Sequence, residues 1–120
     1  MVRKSLYLFG TLMVTTQLNG PAQAASFNCA YAKLPVEVAI CQDSDLESLD
    51  ERMANYFFKL RELLPRSAIA RLRREQNSFI ARRNHCGYNG DCISNAYENR
   101  IARMCRTANV YGLDCDEFGD

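Results

Sequence analysis

The sequence predicts an all-α fold, a small disulfide-stapled bundle of three main helices preceded by a short N-terminal helix. Apolar residues recur at helical spacing in three successive segments. No segment shows the sustained alternation of apolar and polar residues that a half-buried strand requires. Six cysteines in 120 residues fall into three pairs that are close in sequence. Such pairs are typical of a disulfide framework formed in an oxidising compartment.

Residues 1–24 have the features of a secretory signal peptide. Two basic residues open the segment, an apolar run covers residues 6–14, and Ala22-Gln23-Ala24 is a small-x-small cleavage motif. The run is shorter than the about 20 residues that span a bilayer, and the residues before Cys29 do not fit a lipoprotein signal. We therefore expect cleavage after residue 24 and a periplasmic or secreted protein that neither carries a lipid anchor nor inserts into the membrane.

The remaining residues, 25–120, predict a single helical domain with an acidic, cysteine-containing tail from about residue 105. The 15 Lys and Arg residues nearly balance the 14 Asp and Glu residues, which excludes a strongly basic nucleic-acid-binding protein. Locally the charges are separated, because residues 34–51 hold six acids and no base, whereas residues 59–83 hold eight bases and two acids. Charge separation of this kind can steer a charged partner.

A short helix is predicted over residues 35–41, with Pro35 at the first position, where its missing N–H costs no hydrogen bond. The first long helix is predicted over residues 44–64. Ser44-Asp45-Leu46-Glu47 fits a capping box at its start, with Asp43 as a competing N-cap. The apolar stripe of this helix consists of Leu46, Leu49, Met53, Tyr56, Phe57, Leu60, Leu63 and Leu64.

A second long helix is predicted from the cap Ser67 to Gly87, a few residues after Pro65 ends the first. Because the connection is so short, the two helices should form an antiparallel hairpin. A third helix is predicted to start near Asp91, with that residue as its N-cap. The inward-facing residues are Ile69, Leu72, Phe79 and Ile80 on the second helix, and Ile93, Ala96, Tyr97, Ile101 and Met104 on the third.

The cysteines allow 15 disulfide pairings. We favour Cys29–Cys41, Cys86–Cys92 and Cys105–Cys115, because each pair would tie a helix end to the adjoining irregular segment. Two other cysteine chemistries have weaker support. His85, Cys86 and Cys92 match a zinc site only loosely, and the Cys-x-x-Cys motif of a thiol oxidoreductase is absent from the sequence. We expect structural disulfides, with no metal and no other cofactor.

Three polar residues, Gln76, Arg83 and Arg100, project onto the apolar faces of their helices. A buried guanidinium needs a carboxylate or several carbonyl groups as partners. Asp50 borders the apolar stripe of the first helix, at the end that an antiparallel hairpin brings against Arg83. These positions predict an Asp50–Arg83 salt bridge and a hydrogen-bonded Gln76 in the helix packing; the alternative is a ligand or partner site built on them.

The sequence contains no recognisable catalytic arrangement. His85 is the only histidine, no serine or cysteine is placed with it as a nucleophile pair, and no glycine-rich phosphate loop is present. We therefore expect a protein that is not an enzyme.

The order of these residues resembles the N-terminal domain of the LprI-type lysozyme inhibitors, a family of small exported domains formerly of unknown function. The resemblance extends from about Ser26 to Met104. It rests on Cys29, Pro35-Val36-Glu37, Ala39-Ile40-Cys41, Asp43, Leu46, Leu49-Asp50, Gln76, Phe79, Arg83, Cys86-Gly87, Cys92-Ile93, Tyr97 and Arg100-Ile101.

This resemblance implies inhibition of lysozyme by direct protein–protein binding. Because lysozymes of the common animal type are strongly basic, acidic side chains would steer the association. The candidate partner-binding residues are Asp45, Glu47 and Glu51 in the first long helix and Asp114, Asp116 and Glu117 in the tail. The alternative function is a small periplasmic binding or chaperone-like module that acts on envelope proteins or under envelope stress.

Overall fold

The computed structural model describes residues 26–118, so the predicted signal peptide and its cleavage motif lie outside the described residues. Within this range the chain forms four α-helices and no strand, which confirms the predicted all-α bundle. The helices are α1 (Pro35–Gln42), α2 (Ser44–Leu63), α3 (Arg66–His85) and α4 (Gly90–Val110). Two single turns of 3₁₀ helix, Cys29–Tyr31 and Cys115–Phe118, flank them.

The starts of α1 and α2 follow the sequence signals. Pro35 occupies the first position of α1, as predicted. Between the two caps that competed for α2, the structure selects Asp43 rather than Ser44. The carboxylate of Asp43 accepts hydrogen bonds from the backbone N–H groups of Asp45 and Leu46, at 2.9 and 3.3 Å, so it satisfies two of the donors that a helix start leaves free.

The predicted cap of α3 is wrong. The helix begins at Arg66, with Pro65 as an N-cap that contributes no side-chain hydrogen bond. Ser67 cannot be the cap, because the N–H of Ala68 already donates to the carbonyl of Pro65 at 2.9 Å and the helical turn has therefore begun before Ser67. The start of α3 is thus left without a capping side chain.

The predicted cap of α4 is also wrong. Asn89, not Asp91, is the N-cap, because its side-chain oxygen accepts from the N–H of Cys92 at 3.0 Å. Asp91 lies in the first turn, where its negative charge interacts favourably with the positive end of the helix dipole. Before this turn, Gly87 follows α3 with a φ of +56°, a left-handed conformation that favours glycine and reverses the chain.

The three long helices run up, down and up. Side-chain contacts between Asp50 and Arg83 and between Met53 and Gln76 confirm that α2 and α3 are antiparallel. Tyr97 of α4 meets both Asp50 and Arg83, so α4 is antiparallel to α3 and parallel to α2. Among the helix pairs, α4 packs most extensively against α2, and α1 crosses all three long helices.

A single apolar core joins the four helices and the last 3₁₀ turn. The rings of Phe79 and Tyr97 meet edge to face with their centroids 5.1 Å apart, a favourable geometry for aromatic pairs. Leu63, which the sequence places in the stripe of α2, is instead exposed at the end of that helix. The buried apolar residues are Val36, Ile40, Leu46, Met53, Ala54, Tyr56, Leu60, Leu64, Leu72, Phe79, Ile93, Tyr97, Ile101, Met104, Ala108, Cys115 and Phe118.

The C-terminal segment packs onto the bundle. Phe118 is buried and its ring meets Tyr56 of α2 edge to face, with centroids 5.8 Å apart. Cys115 is also buried and bonds to Cys105 of α4. Residues 105–118 are therefore partly the last turns of α4 and partly a docked segment, which the sequence did not predict.

The three disulfides pair as predicted. Cys29–Cys41 ties the first 3₁₀ turn to the end of α1, Cys86–Cys92 closes the turn between α3 and α4, and Cys105–Cys115 holds the C-terminal segment on α4. Each loop is short, so each bond stabilises the fold by somewhat less than ~3 kcal/mol in the chain-entropy model.

Candidate functional site

A buried polar cluster lies where α2, α3 and α4 meet near one end of the bundle. We call Ser26, Asp50, Arg83 and Tyr97 the Asp50 cluster. Asp50 is completely buried, and its carboxylate accepts hydrogen bonds from the hydroxyls of Tyr97 at 2.6 Å and Ser26 at 3.0 Å. The backbone N–H of Ser26 donates to the same carboxylate. These donors satisfy a carboxylate that has no contact with solvent.

The predicted Asp50–Arg83 ion pair is confirmed, with the hydroxyl of Tyr97 beside it. The Nη1 atom of Arg83 lies 3.9 Å from Asp50 and donates to the Tyr97 hydroxyl at 3.1 Å. Burial raises the pKa of Tyr97, the negative charge of Asp50 raises it further, and the positive charge of Arg83 opposes both effects. The hydroxyl therefore stays protonated and links the two charged groups by accepting from one and donating to the other.

A second buried cluster surrounds Arg100, which is 1% exposed. Its Nε atom donates to the side-chain oxygen of Gln76 at 2.9 Å, and its Nη2 atom donates to the carbonyl of Leu72 at 3.4 Å. Its Nη1 atom lies 3.6 Å from Glu75. Burial lowers the pKa of Arg100, and the charge of Glu75 opposes this shift. The amide of Gln76 also donates to the sulfur of Met53 at 3.1 Å, so the predicted role of Gln76 in helix packing is confirmed.

Both clusters are internally satisfied. Among residues 26–118, no buried side-chain nitrogen or oxygen lacks a hydrogen-bond partner. Since every bond given above joins two different segments of the chain, the clusters fix the register of α2, α3 and α4. The two clusters therefore hold the helices, and the surfaces that these helices carry, in fixed positions.

The six acidic candidates for partner binding lie in three separate places. Asp45 and Glu47 are two residues apart on α2 and point to opposite sides of that helix, whereas Glu51 shares the side of Glu47. The tail acids flank Cys115 and lie with the docked segment, against the middle of α2. None of the six forms an ion pair within the described part of the chain. The structure therefore does not bring the two predicted groups into one patch.

One end of the bundle does combine exposed acids with an exposed aromatic side chain. The Asp50 cluster shows that the N-terminus of α2, the C-terminus of α3 and the N-terminus of α4 share this end. We call it the acidic end. It is defined by the exposed residues Asp43, Asp45, Tyr88 and Asp91 and by the half-buried Glu47.

Tyr88 is the most prominent feature of the acidic end. It lies in the turn that the Cys86–Cys92 disulfide closes, and it is 68% exposed. The reversal at Gly87 directs the chain away from α3 just before it. A large exposed aromatic side chain on a covalently closed turn, at the same end of the bundle as several carboxylates, is a surface that can contact a protein partner.

The described residues contain no group of three or more His, Cys, Asp or Glu side chains that could hold a metal ion. His85 is exposed in the last turn of α3, and Cys86 and Cys92 form a disulfide. In the same part of the chain, none of the helices is apolar over a length sufficient to cross a bilayer. Comparisons of the chain with protein-family models, with curated proteins and with solved structures found no match.

Sequence reasoning missed three residues that matter for this end of the molecule. The sequence predicts Tyr97 only as a core residue, although a buried tyrosine hydroxyl requires a partner and Asp50 is predicted at the border of the apolar stripe of α2. Ser26 carried no periodic signal, because it precedes the first helix. Tyr88 lies between Cys86 and Cys92, so the disulfide turn itself is the signal that could have identified it.

Proposed function

We propose that this chain is an exported binding protein that inhibits lysozyme by direct contact through its acidic end. The exposure of Tyr88 on the turn closed by Cys86–Cys92 is the observation that carries the proposal. Because the disulfide already restricts the turn, little conformational entropy is lost when Tyr88 is buried against a partner. Tyrosine is also among the residues that contribute most to binding energy at protein interfaces.

The negative charge of the acidic end also favours a basic protein such as lysozyme as the partner. Asp43, Asp45, Glu47 and Asp91 lie at the same end of the bundle as Tyr88 and outnumber the exposed bases in the last turn of α3, Arg82 and His85. A strongly basic enzyme would be attracted to such a surface, and complementary charge of this kind accelerates association by about 10–10³-fold at low ionic strength. The tail acids are further from Tyr88, so we assign them no part in the contact.

An exported location is supported by the three disulfide bonds, because such bonds form and persist in oxidising compartments. The predicted signal peptide supports the same location. Lysozyme acts on the cell wall, so an inhibitor would have to be present outside the cytoplasm.

A second candidate function, the chaperone-like module, is supported by exposed apolar side chains. A protein that holds unfolded chains presents apolar surface to them. The large exposed apolar residues of the described range are Tyr31, Leu34, Phe58, Leu63, Tyr88, Val110 and Tyr111. They are distributed over both ends of the bundle, which favours the localised contact at the acidic end as the first proposal.

The test is the lysis of a bacterial cell-wall suspension by lysozyme. The protein is isolated from the oxidising compartment of an expression host, so that the disulfides are formed. We expect it to suppress lysis at near-stoichiometric ratios, and Tyr88→Ala to weaken inhibition by at least about 30-fold, since truncating a central interface residue typically costs about 2 kcal/mol or more. Tyr111→Ala, at the opposite end of the bundle, is the matched control and should inhibit like the unaltered protein.

Charge variants refine this experiment. Asp45→Asn combined with Glu47→Gln should reduce the association rate at low salt and leave the dissociation rate nearly unchanged. The matched pair Asp114→Asn and Asp116→Asn should change neither rate. An unaltered protein that fails to inhibit several lysozyme types, yet prevents aggregation of an unrelated protein, would reject lysozyme inhibition in favour of the chaperone-like module.

A further inference from the structure

A groove with a volume of about 500 Å³ lies between the N-terminal half of α3 and the C-terminal half of α4, far from the acidic end. Its walls carry the side chains of Ser67, Arg71, Arg103, Arg106 and Thr107. The volume lies within the range of sites that hold small organic molecules. Nothing in the proposed inhibition of lysozyme uses this groove.

The groove is positively charged. Glu75 is its only carboxylate among the described residues, and this group is already paired with Arg71 at 3.0 Å and with the buried Arg100 at 3.6 Å. Arg103 and Arg106 are exposed and have no ion-pair partner within residues 26–118. The three wall arginines therefore outweigh the one acid, whose charge Arg100 compensates from inside the bundle.

The arginines are placed to converge on one ligand. Arg103 and Arg106 are three residues apart and share a side of α4, while Arg71 faces them from α3 and is held in position by Glu75. Planar guanidinium groups match phosphate oxygens in paired hydrogen bonds, which makes arginine the preferred side chain for phosphate recognition.

The start of α3 adds backbone N–H donors to the groove. This helix has no capping side chain and no acid in its first turn, so its first N–H groups and its dipole favour a negative charge beside it. Ser67, in that first turn, lines the groove. The C-terminal end of α4 lines the same groove and its dipole offsets that of α3, so the positive charge of the groove comes from the three arginines.

The rest of the groove is apolar. Ala68 and Leu72 line it on α3, and Val110 and Tyr111 line it on and just after α4. Val110 is 80% exposed and Tyr111 45% exposed, so apolar surface is available beside the arginines. We propose that this groove binds an amphiphilic organic phosphate, with the phosphate on Arg71, Arg103 and Arg106 and the apolar part on Ala68, Val110 and Tyr111.

Titration calorimetry with hexyl phosphate tests the proposal on the same oxidised protein. We expect one molecule to bind with a Kd of about 1 mM or tighter. Methyl phosphate should bind at least about tenfold more weakly, because it lacks the apolar chain. Hexanol, which has the chain and no charge, should not bind measurably.

Arg103 and Arg106 are exposed, so substituting them should not disrupt the fold. Arg103→Gln combined with Arg106→Gln should weaken hexyl phosphate binding at least about tenfold, since each charged hydrogen bond contributes strongly to affinity. Arg73→Gln is the matched control, because Arg73 is exposed on α3 and does not line the groove; it should change the affinity by less than about twofold.

Vesicles distinguish the two sources of such a ligand. A lipid headgroup is the ligand if the protein co-sediments with phosphatidylglycerol vesicles but not with phosphatidylcholine vesicles, and if the double variant does not co-sediment. A soluble organic phosphate is the ligand if the protein binds hexyl phosphate but neither kind of vesicle. The proposal is overturned if hexyl phosphate does not bind, if methyl phosphate binds equally well, or if Arg73→Gln weakens binding as much as the double variant.

Discussion

The substitution Asp50→Ala tests whether the Asp50 cluster stabilises the fold at the acidic end. Asp50 is completely buried and accepts from the hydroxyls of Tyr97 and Ser26, with Arg83 3.9 Å away. Alanine would leave the guanidinium of Arg83, itself only 7% exposed, without a carboxylate and the hydroxyl of Tyr97 without an acceptor. Removing one partner of a buried ion pair costs about 3–5 kcal/mol. We expect a loss of that size in the free energy of unfolding.

The measurement is urea unfolding at 25 °C, followed by far-UV circular dichroism with the disulfides intact. Asp50→Asn keeps the volume and an acceptor oxygen, so it should cost less than Asp50→Ala. Glu98→Ala, an exposed position on α4, is the control and should stay within about 0.5 kcal/mol of the unaltered protein.

A double-mutant cycle separates the ion pair from other effects of the substitution. Arg83→Met removes the second charge, so the loss for Asp50→Ala and Arg83→Met together should be at least about 1 kcal/mol smaller than the sum of the two single losses. A loss below about 1 kcal/mol for Asp50→Ala, or strictly additive losses, would show that Asp50 and Arg83 do not form a stabilising ion pair.

Three further predictions concern the rest of the molecule. Because burial raises the pKa of Tyr97, this side chain keeps its proton in the folded protein at a pH near 10, where the unfolded chain loses it. The free energy of unfolding should therefore fall as the pH rises above about 10, by up to ~1.4 kcal/mol per pH unit. Urea unfolding of Tyr97→Phe should show a shallower decline. Arg100→Met should cost about 1–3 kcal/mol by the same assay, because Gln76 loses its donor. Cys105→Ser with Cys115→Ser should cost about 2–3 kcal/mol; a melting temperature equal to that of the unaltered protein would contradict this.

Much of the fold could be predicted because its signals are local. The apolar spacing of α2, the proline at the start of α1 and the sequence-adjacent cysteines each depend on a few neighbouring residues. The Asp50–Arg83 pair could also be predicted, since a short connection sets the register of an antiparallel hairpin.

The errors arise where tertiary contacts decide between local alternatives. Asn89 and Asp91 are both of residue types that cap helices, two positions apart, and the sequence alone does not decide between them. In the structure Asn89 is the cap, within the turn that follows Gly87 and that the Cys86–Cys92 bond closes. Docking of the tail depends on a long-range contact of Phe118 with Tyr56, for which the sequence carries no periodic signal.

The candidate site shows the same division. The sequence predicts that acidic residues contact a partner, but it does not show which of them share a surface. The structure places them in separate parts of the molecule. Glu47 of α2 lies at the end that carries Tyr88, whereas Asp116 lies with the docked segment against Tyr56. Which acids share a surface depends on how the helices assemble, and composition contains no information on that point.

The most direct test of the central proposal is inhibition of lysozyme by the unaltered protein and by Tyr88→Ala, measured side by side in the cell-wall lysis assay. We predict near-stoichiometric inhibition that falls by at least about 30-fold on removal of the Tyr88 ring. Equal inhibition by the two proteins would contradict the assignment of the acidic end as the contact surface, and no inhibition by either would contradict the proposed function itself.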